Sequence, residues 1–581
     1  MQDRDVIDSW FPADLRSCEV WEEHFAPRRL PPDAHVTRFA PSPTGSVHLG
    51  GLYVALLAQE AARRSGGTYV VRIEDTDKRR EVAGAAEEFA RVFGYFGLDP
   101  DEGSGRAGAW GPYVQSDREG IYLSYVRELV RTGQAYPCFC SPEVLAENAA
   151  GQQQSRSPLG YYGKWARCRG LSVERAQERI AAGEEFTVRF RCPVGLPGRV
   201  RFRDRVRGAL TMLDNGNDVV ILKSAEQGRR LPTYHFAHVV DDHLMRVTLV
   251  IRGEEWISSL PVHHQLHRAL GFAPPQYAHI APLMKVEGSS RRKLSKRKDP
   301  ESAAEFYLTA GYPAQAVRHY LRGLANSRLA DLPADRALAE PVRLEEAGTA
   351  GPMVDLGKLR SVSRDYIASL SPDEALRALS AWAGENDPGL ARVLRARPDL
   401  AVQALEIGRS GTGTPRKDLA CWSEFRRAYG FFFPELHTPV GALDDARLGL
   451  PARQVAELVT DLAGSYRHAG PAEDWYAQWR DLAQRHGFAP DVRTYRADPQ
   501  AYHGSVREVV NVLRVCVTGT DRSPDLFQVT RALGEAELLG RLRPLADAAA
   551  AVRGKRLSRR PRARRPGAGR PGWRRRAAHG G

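Results

Sequence analysis

TRFAPSPTGSVHLGG, Thr37 to Gly51, is the stretch on which the fold turns. Just upstream, HVTRFA (His35 to Ala40) is short, apolar and rich in β-formers, and Pro41 and Pro43 end it because proline supplies no ladder N–H. From His48 onward Leu52, Leu56 and Leu57 recur at helical spacing as far as Arg64, where Ser65, Gly66 and Gly67 provide a stop. TYVVRIED, Thr68 to Asp75, then reads as a second strand. Strand, stiff turn, helix, strand is a βαβ unit, and it predicts a parallel sheet with a right-handed crossover.

In such a unit the turn from first strand to helix lies at the carboxyl edge of the sheet, where the first N–H groups of the helix point outward and attract phosphate. His48 at that corner can donate to a phosphate oxygen, and Gly50 and Gly51 present no side chain to block a flat base. Proline and glycine are also ordinary turn residues, so the reading gains force only from a second element far downstream. That element is SSRRKLSKRKDP, with Lys293, Ser295, Lys296 and Arg297. Taken alone it is equally a solvated basic loop.

The 581 residues suffice for roughly three to five domains. No apolar run approaches the ~20 residues of a membrane span, and MQDRDVIDSWF lacks the basic-then-apolar order of a signal peptide, so the expected location is the cytoplasm, with no membrane partner. Seven scattered cysteines predict reduced thiols. The net charge of +14 suggests a polyanionic partner, but eleven Arg and one Lys between Arg553 and Arg576, with no acid among them, carry most of it. The body is left at +2, so the case for nucleic acid cannot rest on charge.

Further along, LPTYHFAHVV (231–240) and RVTLVIRG (246–253) read as strand-like runs around an acidic corner, Asp241-Asp242. Between the two α/β regions, EEFTVRF (184–190) and RVRFRDRV (199–206) read as strands of an inserted domain. Beyond Glu301 the pattern is helical to about Leu545, as in PARQVAELVTDLAGSY, with no internal repeat. The Arg-, Pro- and Gly-rich last thirty residues are expected to be disordered.

Taken together, the His48 and Lys293–Arg297 motifs resemble the HIGH and KMSKS signatures of class I aminoacyl-tRNA synthetases, and RFAPSPTGSVHLGG with KLSKR is similar to glutamyl-tRNA synthetase in particular. The resemblance extends, in the family's order, through VRIEDTD (71–77), LPTYHFAHVVDDHLM (231–245) and VIRGEEW (250–256). It is strong from His35 to Ser327 and weaker in the helical half. It implies an α/β Rossmann-type parallel-sheet catalytic domain (35–115 and 216–275) carrying an inserted α/β acceptor-stem-binding domain (116–215). Around these it implies an N-terminal extension (1–34), a stem-contact region with the KLSKR loop (276–360), an all-α anticodon-binding region (361–545) and a basic tail (546–581).

The activity implied is a glutamate–tRNA ligase, expected as a monomer, with ATP, L-glutamate and tRNA-Glu as partners; whether tRNA-Gln is also charged stays open. The chemistry needs position and charge stabilisation rather than a covalent enzyme intermediate. Carried over by motif, His48, Lys293 and Lys296 act on the phosphates, and Thr44, Gly50, Gly51, Ser295 and Arg297 complete the ATP site, with Mg2+ held mainly by ATP and water. For glutamate, Arg38 and Arg252 offer guanidiniums to the carboxylates and Glu74 an acid to the ammonium, with Ala40, Ser42, Tyr234 and His238 as the wall. The plainer reading pairs Arg38 and Arg252 with neighbouring acids such as Asp75 or Glu254. An arginine kept for a carboxylate disfavours glutamine by ~2–5 kcal/mol. SPTG stands here where the glutaminyl branch usually has Pro-Asn-Gly.

Cys138, Cys140 and Cys168 resemble part of the zinc site of some relatives, but Gly170 stands where a histidine ligand would fall, and free thiols without zinc are the expectation. Two other functions fit the same motifs: a glutamyl-transferring paralogue of a specialised pathway, and a non-catalytic tRNA-binding paralogue. The intact His48, Lys293, Lys296, Arg38 and Glu74 favour the enzyme over the latter.

Overall fold

The βαβ unit forms as the periodicity demands: β1 (Val36–Phe39) pairs in parallel with β2 (Thr68–Val71), and α1 (Leu49–Arg64) connects them. The computed structural model describes residues 2–77, 82, 84–193, 198–226, 228–409, 415–468 and 470–558. Leu49, Leu52, Leu56 and Leu57 of α1 are all buried, and each contributes roughly 1.5–3 kcal/mol of apolar transfer. The helix ends where predicted, with the Gly67 N–H closing on Ala62 O at 2.9 Å. A Cβ on Gly67 would lie 2.0 Å from His35 O, so only glycine lets the chain re-enter the sheet here.

Twelve strands are described: β3 (Glu102–Gly103), β4 (Ala135–Cys138), β5 (Thr187–Phe190), β6 (Arg199–Asp204), β7 (Gly208–Leu213), β8 (Val220–Leu222), β9 (Leu249–Gly253), β10 (Gln276–Ile280), β11 (Met284–Glu287) and β12 (Ser290–Lys293) follow the first two. The main sheet has the order β3-β2-β1-β9-β10-β6-β7, parallel throughout except for the β6–β7 hairpin. Alternate residues of β9 feed its two faces. Leu249 and Ile251 join the α1 layer, and Val250 joins the opposite layer with Val36, Val70 and Tyr277. A separate antiparallel sheet, β4-β5-β8, takes two strands from the segment between the halves and its third, β8, from just beyond residue 215.

Three expectations are corrected. RVRFRDRV does not belong to the small sheet: β6 pairs with β10 at Asp204↔Tyr277 and extends the main one. LPTYHFAHVV is not a strand but opens α2 (Tyr234–Leu244), and Asp241 and Asp242 lie within that helix rather than at a corner. Phe236, Ala237, Val239, Val240 and Leu244 are fully buried, as are His238, Asp241 and Asp242; a helix enclosed on every side has no polar stripe to reveal its period. Finally, the helix Glu535–Ser558 carries regular structure into the tail expected to be disordered. Residues 559–581 lie outside the described residues.

The chain divides into two compact units, residues 1–367 with 420–423, and residues 368–419 with 424–581. The second is helical among its described residues, as expected, around the buried Trp475 and Trp479; Trp475 Nε1 donates to Tyr466 Oη at 3.1 Å.

Candidate active site

Two adjoining cavities open where β1 and β9 end. The first, about 400 Å³, is lined by Arg38, Ser42, Thr44, Glu74, Tyr234 and Arg252 among others. The second, about 310 Å³, is lined by His48, Gly50, Gly51 and Lys293 with Pro282 and Leu283. Ala40, Arg252 and Trp256 line both. Thr44, expected on the ATP side, thus stands with Ser42 at the first cavity.

His48 is the N-cap of α1, and its Nδ1 accepts the Gly50 N–H at 2.9 Å. Burial, then the charges of Lys296 and Lys293, push the imidazole down to about 4, so at neutral pH it is uncharged with its proton on Nε2. A Cβ on Gly50 would press to 3.1 Å on His48 Nδ1, and one on Gly51 to 3.3 Å on Phe39. The two glycines therefore seat the cap as well as opening the cavity.

The basic motif reaches the same corner. Strands β11 and β12 form a hairpin that delivers Lys293 to the second cavity. Leu294 is buried, its N–H on Leu283 O at 2.9 Å, while Lys296 and Arg297 stay exposed. Lys296 Nζ donates to Ser46 O at 2.6 Å, across 250 residues of chain, and His48 bridges Ala303 in β fashion. Asp299 holds the loop: it accepts from Ser295 N at 2.9 Å and from Arg292 Nη1 at 2.6 Å.

Behind the first cavity lies a buried ionic cluster. Arg72 donates to Asp242 Oδ1 at 2.7 Å and to Glu74 Oε1 at 3.0 Å, and Arg118 Nε to Asp241 Oδ1 at 2.6 Å. Arg38 Nε meets Asp242 Oδ2 at 3.3 Å. Burial opposes the charge on Asp242, yet Arg72, Arg38 and His238 hold its carboxyl well below the usual range. Burial raises Glu74 against the pull of Arg72 and Arg38. Breaking one partner from such a buried set costs about 3–5 kcal/mol. Asp75 accepts from Ser116 N and Oγ, and Glu254 pairs with Arg207, so the plainer pairings are replaced by others. His238, expected in the wall, sits one layer behind it, fully buried, with Nδ1 2.9 Å from Asp242 Oδ2. Arg72 and Trp256 carry no signal in the sequence beyond their place inside the quoted motifs, and Asp242 stands there only as part of an acidic pair.

Buried neutral histidines make the fold acid-sensitive. Burial depresses His238 to about 3 and His267 to about 4. Both lie below the unfolded value near 6.5, so the unfolded chain binds more protons between these limits. Stability is then full above pH 6.5 and falls as the pH drops, by about 2–3 kcal/mol for the pair between pH 6 and 5. Thermal melts at pH 7.5, 6.5 and 5.5 should show a falling midpoint; a flat profile contradicts the assignment.

The three cysteine sulfurs of Cys138, Cys140 and Cys168 lie within 4.8 Å of one another. Tyr161 Oη is 3.4 Å from Cys138 Sγ and 3.2 Å from Cys140 Sγ, and accepts the Cys168 N–H at 3.0 Å. Hydrogen bonds from Cys168, then from Tyr161 and Arg189, hold the Cys138 thiol below its ordinary value. Three sulfurs and an oxygen at one point fit a tetrahedral metal.

Comparison with known proteins agrees with this geometry. The family model described as tRNA synthetases class I (E and Q), catalytic domain, matches residues 35–359, and an anticodon binding domain matches residues 503–546. The chain is 37% identical to a glutamate–tRNA ligase of Acetivibrio thermocellus over 94% of its own length and 100% of that protein. It is 35% identical to the glutamate–tRNA ligase of Thermus thermophilus over 87% of its length and 98% of that protein. Among solved structures it is similar to a glutamate tRNA ligase from Elizabethkingia meningosepticum in complex with its amino acid, with a TM-score of 0.71 and 26% identity, over 89% of this chain and 100% of that one.

Proposed function

The chain belongs to the class I tRNA synthetases for glutamate and glutamine, and from that premise we infer that it is a glutamate–tRNA ligase. It activates L-glutamate with ATP to glutamyl-adenylate and passes the glutamyl group to the 3′ end of tRNA-Glu. The observation that carries this reading is the pair of cavities sharing Ala40, Arg252 and Trp256, the first lined by Arg38 and Glu74 and the second by His48 and Lys293.

The first cavity takes glutamate. Arg38 and Arg252 face its carboxylates, Glu74 its ammonium, and Ala40, Ser42 and Tyr234 shape the wall. The second takes the nucleotide of MgATP, with Gly50 and Gly51 against adenosine. An α-carboxylate oxygen attacks the α-phosphorus and the bond to pyrophosphate breaks. His48 Nε2–H donates to the α-phosphate region, and Lys293 and Lys296, released from Ser46 O, stabilise charge gathering on pyrophosphate, with Ser295 and Arg297 completing the loop. A tRNA ribose hydroxyl then attacks the glutamyl carbonyl and AMP leaves.

The β4-β5-β8 sheet and the segment from residue 116 around it are assigned to the acceptor stem, without the β6–β7 hairpin that joins the main sheet, and the helical region 361–545 to the anticodon, in keeping with the match at 503–546. No helix among the described residues is long and apolar enough to cross a membrane, and cytoplasmic action as a monomer is part of the proposal. Cys138, Cys140, Cys168 and Tyr161 would hold a zinc ion that braces β4 against the Cys168 loop, in departure from the expectation of free thiols. Protein washed with chelator should keep about one zinc per chain and lose it in Cys168→Ser. Folded, zinc-free wild-type protein contradicts this.

The deciding experiment is glutamate-dependent ATP–pyrophosphate exchange with tRNA present and glutamine as control. Exchange with glutamate alone supports the reading. Equal exchange with glutamine, or none with either, overturns it.

A further inference from the structure

Arg252 lines both cavities yet is only 4% exposed, so its five N–H donors must be directed by the protein around it. Its Nε donates to His279 Nε2 at 3.0 Å. That bond requires a lone pair on Nε2, hence a neutral imidazole with its proton on Nδ1. His279 Nδ1 lies 2.6 Å from Asp204 Oδ2, and an ionised carboxylate can only accept. Asp204 therefore fixes the tautomer of His279, and His279 fixes the azimuth of the guanidinium.

Strand register builds the chain of contacts. Arg252 of β9 stands opposite His279 of β10, and Tyr277, two residues back, pairs with Asp204 of β6. Asp204 is itself pinned by the N–H groups of Val206 and Arg207, each at 2.9 Å, and the side chains of Asp204, His279 and Arg252 are all buried. The guanidinium carbon lies 4.9 Å over the Tyr277 ring, which stacks on His279 at 5.8 Å. With Nε committed, the Nη atoms make longer contacts: 3.3 Å to Tyr234 Oη and 3.4 Å to Trp256 O, both residues of the cavity wall, and 3.4 Å to Nδ1 of the buried His263.

We propose that Asp204 and His279 are positioning residues that aim Arg252 at a substrate carboxylate, a role that rests on reading the first cavity as the glutamate pocket. Asn at 204 would donate to Nδ1, move the imidazole proton to Nε2 and set it against the Arg252 N–H. Leu at 279 removes the acceptor altogether, whereas Gln at 279 can return a carbonyl oxygen near the place of Nε2.

The test measures KM for glutamate, KM for ATP and kcat in tRNA-supported exchange for wild type, Asp204→Asn, His279→Leu and His279→Gln, with melting midpoints alongside. Asp204→Asn and His279→Leu should raise KM for glutamate roughly tenfold or more while KM for ATP moves less than about twofold, and His279→Gln should recover most of the loss. Unchanged KM for glutamate in the first two, a parallel rise in KM for ATP, or a His279→Gln enzyme as poor as His279→Leu overturns the inference alone. Wild-type protein with no glutamate-dependent exchange overturns the reading of the pocket, and this inference with it.

Discussion

Lys296→Ala is expected to lower the tRNA-supported exchange rate by roughly 10²- to 10³-fold, the cost of removing one preorganised donor from a developing anion. The effect should fall on kcat. Lys296 is exposed and touches the fold through Nζ on Ser46 O, a contact that water can replace, so the melting midpoint should hardly move. KM for glutamate should hold as well, since the lysine is not among the residues of the first cavity. A rate within threefold of wild type would remove the loop from the chemistry.

Arg252→Ala should act in a different parameter. The guanidinium is buried between the cavities, and losing a buried partner for a carboxylate costs about 2–5 kcal/mol, or roughly 30- to 5,000-fold in kcat/KM for glutamate. Glutamine lacks the side-chain carboxylate but keeps the α-carboxylate, so it should lose less if Arg252 holds the former and as much if it holds the latter, and the ratio assigns the contact. The variant also leaves His279 Nε2 without its donor, a loss of about 1–3 kcal/mol in stability. Steady-state exchange with both amino acids and a thermal melt test these statements; an unchanged kcat/KM for glutamate contradicts the assignment of Arg252.

These two residues also mark how far the sequence could be read. The β1-α1-β2 unit was legible because its signals are local: a leucine period, two prolines and a glycine stop. The residues of the two quoted motifs converge as expected, since Ser46 and Lys296 touch. What escaped was set by pairing across the sheet. Nothing near RVRFRDRV announces that Asp204 will meet His279, because strand partnership is decided by register with a segment some seventy-five residues away. LPTYHFAHVV misled for another reason: aromatic and β-branched residues in a helix buried on all sides imitate a strand. A Cys-x-His spacing points to Gly170, two residues after Cys168, whereas the oxygen beside the cysteine sulfurs belongs to Tyr161, seven residues before it.

The central claim is that the two cavities are halves of one site, occupied end to end by a single glutamyl-adenylate. A crystal structure with a non-hydrolysable glutamyl-adenylate analogue tests it most directly. The account predicts the glutamyl group between Arg38, Glu74 and Arg252, adenosine on Gly50 and Gly51, and His48 on the bridging phosphoryl group, with Lys296 on the side from which pyrophosphate departed. An analogue bound with its glutamyl end outside the first cavity, or with its bridging phosphoryl group away from His48, would contradict it.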